Sequence, residues 1–507
     1  MSDPRTPLSR RLLALLCGAT ASAAPLAGCI SPVLPPGTGA RPGLALNQHS
    51  ARGASAITLL GPSVGPAEQL TPAGRELTLV ASVGQATSIP LRLSVEPGQA
   101  GAAFRLSQLA AAERLEMPYS DRFRSPTAAP ATSPGRRLLA TPARSLGSTE
   151  AFWINTGSSS SADDRQRTCA LKRISANALL YVDLEAKEIP DAQLDRLLDE
   201  WEQRIYPRLT AVFGREARPG IDGEERIFLV LSPAVDNWGK EKGLMGYFWS
   251  RDLIPGGGGN SNQKEVLFMT DQLFDRPELT SFGTLAHEFQ HLLNFSRKSA
   301  RLGYRLSEDT WLDEGLSMYA MEVAGYGLPA GDYHIAKDLR VFQESPEDFS
   351  LTDWSGNPNG FAYGQSYLFV RYLVDRYGPG VIAEILDSNK AGVACIADLL
   401  KPRGTTFAEH FRAWAIANLV SDAPLAQGTP YTYQGLPLRG TFRSASGQED
   451  IELRGFQTRP GEGADVTLRL RPWSTAYLTY ASQTPLPWRL RLGVDTAERL
   501  LGATIVP

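Results

Sequence analysis

Two of the five histidines in this 507-residue chain stand four positions apart, in Thr284-Leu285-Ala286-His287-Glu288-Phe289-Gln290-His291. Four residues is slightly more than one helical turn, so in a helix both imidazoles leave the same face and can hold one metal ion. Glu288, one step after the first histidine, reaches the open side of that ion, where a bound water would lie. This donor set predicts a zinc hydrolase. A third ligand is offered by Glu314 in Asp309-Thr310-Trp311-Leu312-Asp313-Glu314-Gly315-Leu316-Ser317, with 22 residues between it and His291. Burying a carboxylate is costly unless it is paired or bound to metal. The competing reading of Glu314 is a first-turn residue favoured by the helix dipole.

This chemistry requires two helices. Between about 281 and 298, Phe282, Leu285, Ala286, Phe289, Leu292 and Leu293 recur at i, i+3, i+4 and i+7, predicting a helix with an apolar back and both histidines opposite it. A second helix is predicted from Thr310, which can cap it, with Asp313 and Glu314 in its first turn. Leu316, Met318, Tyr319, Ala320, Met321, Val323 and Ala324 make it apolar nearly all round, hence buried. Upstream, predicted strands at 179–184 and 227–231 flank a helix near 191–213. A short predicted strand, Val266-Leu267-Phe268-Met269, is expected to be the sheet edge that pairs with an extended substrate. The glycine run at 256–259 lacks the Lys-Ser/Thr ending of a phosphate loop and is expected at the cleft rim.

The stretches TLAHEFQHLLNF and WLDEGLS resemble the gluzincins, zinc peptidases that use HExxH and a downstream Glu, and most closely the hyicolysin-type neutral metalloproteases of bacteria. The resemblance covers about 152–419. It implies Zn2+ held by His287, His291 and Glu314, with Glu288 as general base and peptide or protein as substrate. The metzincin pattern fails, since Asn294 and Arg297 occupy its glycine and final histidine positions. Thermolysin-like enzymes carry an Asp four residues after the Glu ligand, where this chain has Met318, so the partners of the histidines stay unnamed. The aminopeptidase N group, which resembles this chain in its WLxEG string and less closely at Tyr363-Gly364-Gln365-Ser366, implies Tyr363 as the donor to the oxyanion. Tyr367 and His334 are the substitutes, and a purely structural Tyr363 on one apolar helix face is the alternative. That group anchors the substrate amine with the Glu of a GxMEN string; here Gly243-Leu244-Met245-Gly246-Tyr247 has Gly246 at that position, which favours an endopeptidase.

The N-terminus predicts export. Arg10 and Arg11 precede an apolar run from Leu12 to Ala24 that is too short to span a bilayer, and Leu26-Ala27-Gly28-Cys29 resembles a bacterial lipobox. Residues 1–28 are therefore expected to be a lipoprotein signal, Cys29 the lipidated residue, and 29–55 a Pro/Gly-rich tether. Ile30 rather than Asp after that cysteine favours the outer membrane or cell surface. Cys17 would leave with the signal, so Cys169 and Cys395 are either one disulfide or two separate buried thiols.

A net charge of -3 offers no electrostatic reason to bind nucleic acid. The expected fold class is α+β, a zincin catalytic domain with a mixed sheet and active-site helices, flanked by small all-β domains. The expected divisions are a small β domain at 56–124, a linker at 125–149, a metallopeptidase domain at 150–425 and a β-sandwich-like domain at 430–507. Two other functions compete: a catalytically silent zincin-like lipoprotein serving as a binding module, and an aminopeptidase. The intact Glu288 favours catalysis. The oligomeric state is not legible.

Overall fold

Ile227-Phe228-Leu229-Val230-Leu231 is buried at every position, the mark of a strand covered on both faces. In the computed structural model it is the fourth of six strands in a mixed sheet. The structure describes residues 144–156, 163–236, 244–354, 362–421, 429–443, 450–457 and 471–477 in full, and the backbone of strands at 45–52, 57–60, 76–83, 89–96, 459–460, 466–470, 478–481, 489–494 and 499–506. The signal, Cys29 and most of the tether and linker lie outside the described residues.

The chain opens with β1 (Ala45–Arg52), β2 (Ile57–Leu60), β3 (Glu76–Val83) and β4 (Ile89–Glu96). The region bearing the motif follows: β5 (Thr149–Asn155), β6 (Asp164–Ile174), β7 (Ala178–Asp183), α1 (Asp191–Glu200), α2 (Tyr206–Phe213), β8 (Ile227–Leu231), α3 (Pro233–Asp236), β9 (Gly246–Phe248) and β10 (Val266–Met269). A π-helical turn joins α1 to α2. Helices come next: α4 (Glu278–Asn294), α5 (Thr310–Ala324), α6 (Tyr333–Glu344), α7 (Tyr363–Tyr377), α8 (Gly380–Asp387), α9 (Gly392–Leu400) and α10 (Phe407–Val420). The last strands are β11 (Arg439–Phe442), β12 (Ile451–Arg454), β13 (Arg459–Pro460), β14 (Val466–Leu470), β15 (Thr475–Ala481), β16 (Arg489–Val494) and β17 (Arg499–Val506). The fold is α+β.

The six-stranded sheet runs β5-β6-β7-β8-β10-β9. β7, β8 and β10 are parallel to one another, while β9 pairs antiparallel to β10. Strand periodicity of two divides its side chains between two cores. Leu180, Val182, Leu229, Leu231, Leu267 and Met269 join the core shared with the helices. Leu179, Tyr181, Phe228, Val230, Val266 and Phe268 form a separate core on the other face. Because β9 lies outside β10, the short strand expected at the edge is interior, and the edge is Gly246–Phe248.

Three further expectations are revised. Cys169 sits in the core on one face of the sheet and Cys395 in the core on the other; both are free buried thiols, so they form no disulfide. The N- and C-terminal β stretches share two sheets, ordered β1-β17-β3-β15-β13 and β14-β4-β16-β2, so they are interleaved and not two independent domains. The boundary near 430 does not divide the core either: Tyr433, Leu438, Ile451, Leu453, Phe456 and Tyr477 belong to the same cluster as the helices. Among the described residues no helix is long and apolar enough to cross a membrane.

Candidate metal centre

α4 carries the HExxH residues. Its apolar side meets α2 and the π-helical turn before it, where Phe289 stacks on Tyr206 and packs against Trp201, with ring centroids 5.5 and 4.7 Å apart. The opposite side is covered as well, so the helix is buried from Thr280 to Asn294. A polar pair on an almost wholly buried helix must be satisfied by neighbouring side chains or by a ligand. α5 begins at Thr310, as expected, but its N-cap position is Asp309, whose side chain makes no capping bond.

His287 Nε2 and His291 Nε2 stand 3.1 Å apart. Glu314 Oε2 lies 3.1 Å from the first and 3.5 Å from the second. A tetrahedral ion with bonds of about 2.0–2.1 Å separates its ligand atoms by about 3.4 Å, so the three atoms fit zinc. Among the described residues, this is the single group of three or more His, Cys, Asp or Glu side chains arranged to hold a metal. The electrostatics are those of a carboxylate sunk between imidazoles. Burial raises the Glu314 pKa, but His291 and His287 together hold it below the ordinary value. Burial keeps His287 low. Burial also acts to lower His291, yet Asp313 and Glu314 outweigh it and raise His291 well above the usual value.

Sequence reasoning left the partners of the histidines unnamed; the structure supplies one. Asp313 Oδ2 is 3.2 Å from His291 Nδ1, and Asn294 Nδ2 donates to the other oxygen of Asp313. A carboxylate on the distal nitrogen fixes the tautomer that leaves Nε2 facing the metal position. The signal was present in the sequence, because Asp313 immediately precedes Glu314, but the residues joining it to His291 lie on two helices. Ser317, one turn after Glu314, adds a hydroxyl 3.2 Å from His291 Nδ1 and donates to Gln290.

Glu288 is buried beside this group. Its Oε2 accepts the Phe248 N–H of the edge strand β9 at 2.9 Å, while Oε1 has no hydrogen-bond partner among the described residues. Burial pushes its pKa up to about 8, against the lowering influence of His291 and the Phe248 amide. Burial and one fixed oxygen leave a basic carboxylate whose second oxygen can exchange a proton.

α7 brings in the tyrosine. Tyr363 is its first residue, fully buried, with its ring centroid 6.3 Å from that of His287. Two close approaches place it. A Cβ on Gly315, directly after Glu314, would come within 2.8 Å of the Ser366 carbonyl oxygen, so α5 and α7 cross where glycine leaves room. The buried Asp338 carboxylate on α6 accepts the Gly364 N–H. Trp354 packs edge-on against Tyr363 at 5.2 Å. The two substitutes are engaged elsewhere: the Tyr367 hydroxyl donates to Glu322 at 2.6 Å, and the His334 ring lies edge-on to Tyr333.

Residues 175–364 match the Peptidase M30 family. That span contains His287, Glu288, His291, Glu314 and Tyr363. Over 223 residues the chain is also 28% identical to the neutral metalloprotease ShpI of Staphylococcus hyicus, an alignment covering 42% of this chain and 48% of that protein. The chain thus spans about half the length of the curated relative it matches. The family match covers the stretch that carries the site, and the interleaved β strands lie outside it.

Proposed function

We propose that this protein is a zinc-dependent endopeptidase, exported and held at a bacterial outer membrane or cell surface by lipid on Cys29. One observation carries the catalytic reading: three buried donor atoms at zinc spacing stand beside a carboxylate that, among the described residues, is anchored through one oxygen. The M30 similarity and the relative described as a neutral metalloprotease support it.

His287, His291 and Glu314 would hold the ion, with Asp313 orienting His291. Zinc held there would supply a water whose pKa is lowered toward ~7 and a Lewis acid for the scissile carbonyl. Glu288 then takes the proton of the attacking water on Oε1 and delivers it to the leaving amine, while the Phe248 N–H keeps the carboxylate from rotating away. Tyr363 donates its hydroxyl hydrogen bond to the developing oxyanion. Since Phe248 N–H points outward from β10 to α4, strand alternation turns the backbone groups of Gly246 to the same outer side. Gly246 is buried with the rest of β9, so an extended peptide that adds a strand there must displace what covers it. No carboxylate replaces Gly246 to hold a free amine, which favours internal bonds. The lipid anchor rests on the Leu26–Cys29 string and the apolar run before it.

The test is casein hydrolysis by purified protein with and without chelator, beside Glu288→Gln. Chelation should abolish cleavage and added zinc restore it, and the Gln variant should keep one zinc per chain while losing about 10²–10⁴ in rate. A Gln variant that cleaves as fast as wild type would refute the reading. N-terminally blocked peptides should be cut as readily as free ones, and Cys29→Ser should move the protein out of the membrane fraction.

A further inference from the structure

A turn from the interleaved β strands grips the loop that leads into the catalytic region's α7. Residues 471–474, between β14 and β15, are joined to residues 348–353 by backbone and side-chain bonds. Leu351 N–H donates to the Trp473 carbonyl at 3.2 Å. Ser350 Oγ donates to the Pro472 carbonyl and accepts the Asp353 N–H at 3.0 Å. The Arg471 guanidinium spans the loop, donating to the Asp348 carbonyl at 3.2 Å and the Asp353 carbonyl at 2.8 Å. Directly after Asp353 comes Trp354, whose indole packs on Tyr363.

The turn holds a costly conformation. Trp473 has a φ of 52°, a region that a bulky L-residue rarely adopts. It is kept there by its ring, which packs edge-on against Phe407 and Phe411 at 4.6 and 5.1 Å on α10, and by its carbonyl, which receives Leu351 N–H. Such a backbone persists where the surroundings over-determine it, and residues of this kind cluster where geometry is functionally demanding.

From this chain of contacts we infer that Arg471 and the turn at 471–474 are positioning elements of the active site, acting through Trp354 to fix Tyr363 beside His287. The inference rests on the proposed role of Tyr363 as oxyanion donor. Its consequence is that the β strands contributed by both ends of the chain are part of the catalytic apparatus. A shift of about 1 Å in a catalytic group can cost up to about 100-fold in rate, so a clamp two contacts away from that group has leverage on kcat.

The experiment uses the full chain loaded with zinc and compares wild type, Arg471→Ala, Ser350→Ala, Tyr363→Phe and the double variant Arg471→Ala/Tyr363→Phe. Four quantities are read: kcat and KM on a blocked peptide, inhibition by a phosphonate peptide that mimics the tetrahedral intermediate, zinc content, and thermal midpoint. Arg471→Ala should lower kcat about tenfold and weaken phosphonate binding by a similar factor, with KM and zinc content unchanged. Ser350→Ala should do the same to a smaller extent. In the double variant, Arg471→Ala should cost nothing beyond Tyr363→Phe, because the group it positions is gone. If Tyr363→Phe leaves kcat and phosphonate binding unchanged, the oxyanion role itself fails. If Tyr363→Phe is impaired but neither Arg471→Ala nor Ser350→Ala is, the clamp is overturned while that role stands. A drop in thermal midpoint with kcat losses that multiply in the double variant would also overturn it, reducing the turn to a structural support.

Discussion

α4 and the start of α7 both deliver buried side chains to one site, but they arrive by different physics. On α4 the relation between His287, Glu288 and His291 is set by the pitch of a single helix, and three neighbouring residues suffice to specify it. At the start of α7, Tyr363 owes its place to a crossing with α5 at Gly315, to the Asp338 carboxylate of α6, and to Trp354 on a loop gripped by a distant turn. The first arrangement is a local property of the chain. The second is a property of its packing, and each contact that makes it offers a separate way to damage it.

The largest effect expected from this contrast comes from the local arrangement. His287→Ala or Glu314→Ala should strip zinc from the purified chain and reduce cleavage to background, as read by elemental analysis beside the casein assay. A variant that keeps stoichiometric zinc would show that the triad does not hold the metal. Asp313→Ala leaves His287, His291 and Glu314 in place and removes the carboxylate on His291 Nδ1, which also accepts from Asn294. It should weaken zinc binding about 10–100-fold in competition with a chelator, and unchanged affinity would mean that the helix alone orients the ring.

The packed arrangement should respond through stability and geometry. Gly315→Ala forces a methyl against the Ser366 carbonyl and Val370 of α7. Overpacking of this kind costs about 1–3 kcal/mol in urea unfolding, in spite of the better helix propensity of alanine. Activity should fall while zinc stays bound; a variant as active and as stable as wild type would break the link between that crossing and Tyr363.

The smallest effect concerns Asp338, whose pKa burial raises to about 7 although the Gly364 N–H acts to lower it. Below about pH 4 the carboxyl is protonated in folded and unfolded chains alike. Between that point and pH 7 the folded chain retains a proton that the unfolded chain releases, so this group's contribution to stability falls as pH rises. Asp338→Asn keeps an acceptor for Gly364 N–H and removes the charge. Its thermal midpoint should exceed that of wild type by a few degrees at pH 8 and match it at pH 4. Equal midpoints at both would show that Asp338 ionises in the folded protein without penalty.

Much of the site was legible because helical periodicity is written over short distances. The helix bearing both histidines, the second helix beginning at Thr310 and the carboxylate Glu314 can be read from patterns a few residues long, and the sheet strands Ala178–Asp183 and Ile227–Leu231 announce themselves through the apolar runs 178–182 and 227–231. What those patterns lacked was any statement of neighbours. Val266–Met269 reads as an edge, yet β9 pairs outside it, because an apolar strand of four residues looks the same from the sequence whether one or both of its edges are occupied. Cys169 and Cys395 read as a possible bridge, yet the sheet stands between their cores.

The sequence by itself determined a pair of imidazoles one helical turn apart with a carboxylate beside them, since the covalent spacing and the pitch of the helix leave little freedom. Only the tertiary structure decided that Asp313 backs His291, that Phe248 holds Glu288, and that Tyr363 and not Tyr367 adjoins His287. It also decided that strands from the two ends of the chain share sheets. These are contacts between elements far apart in sequence, governed by which surfaces exclude water together, and no periodicity within one segment encodes the identity of its partner.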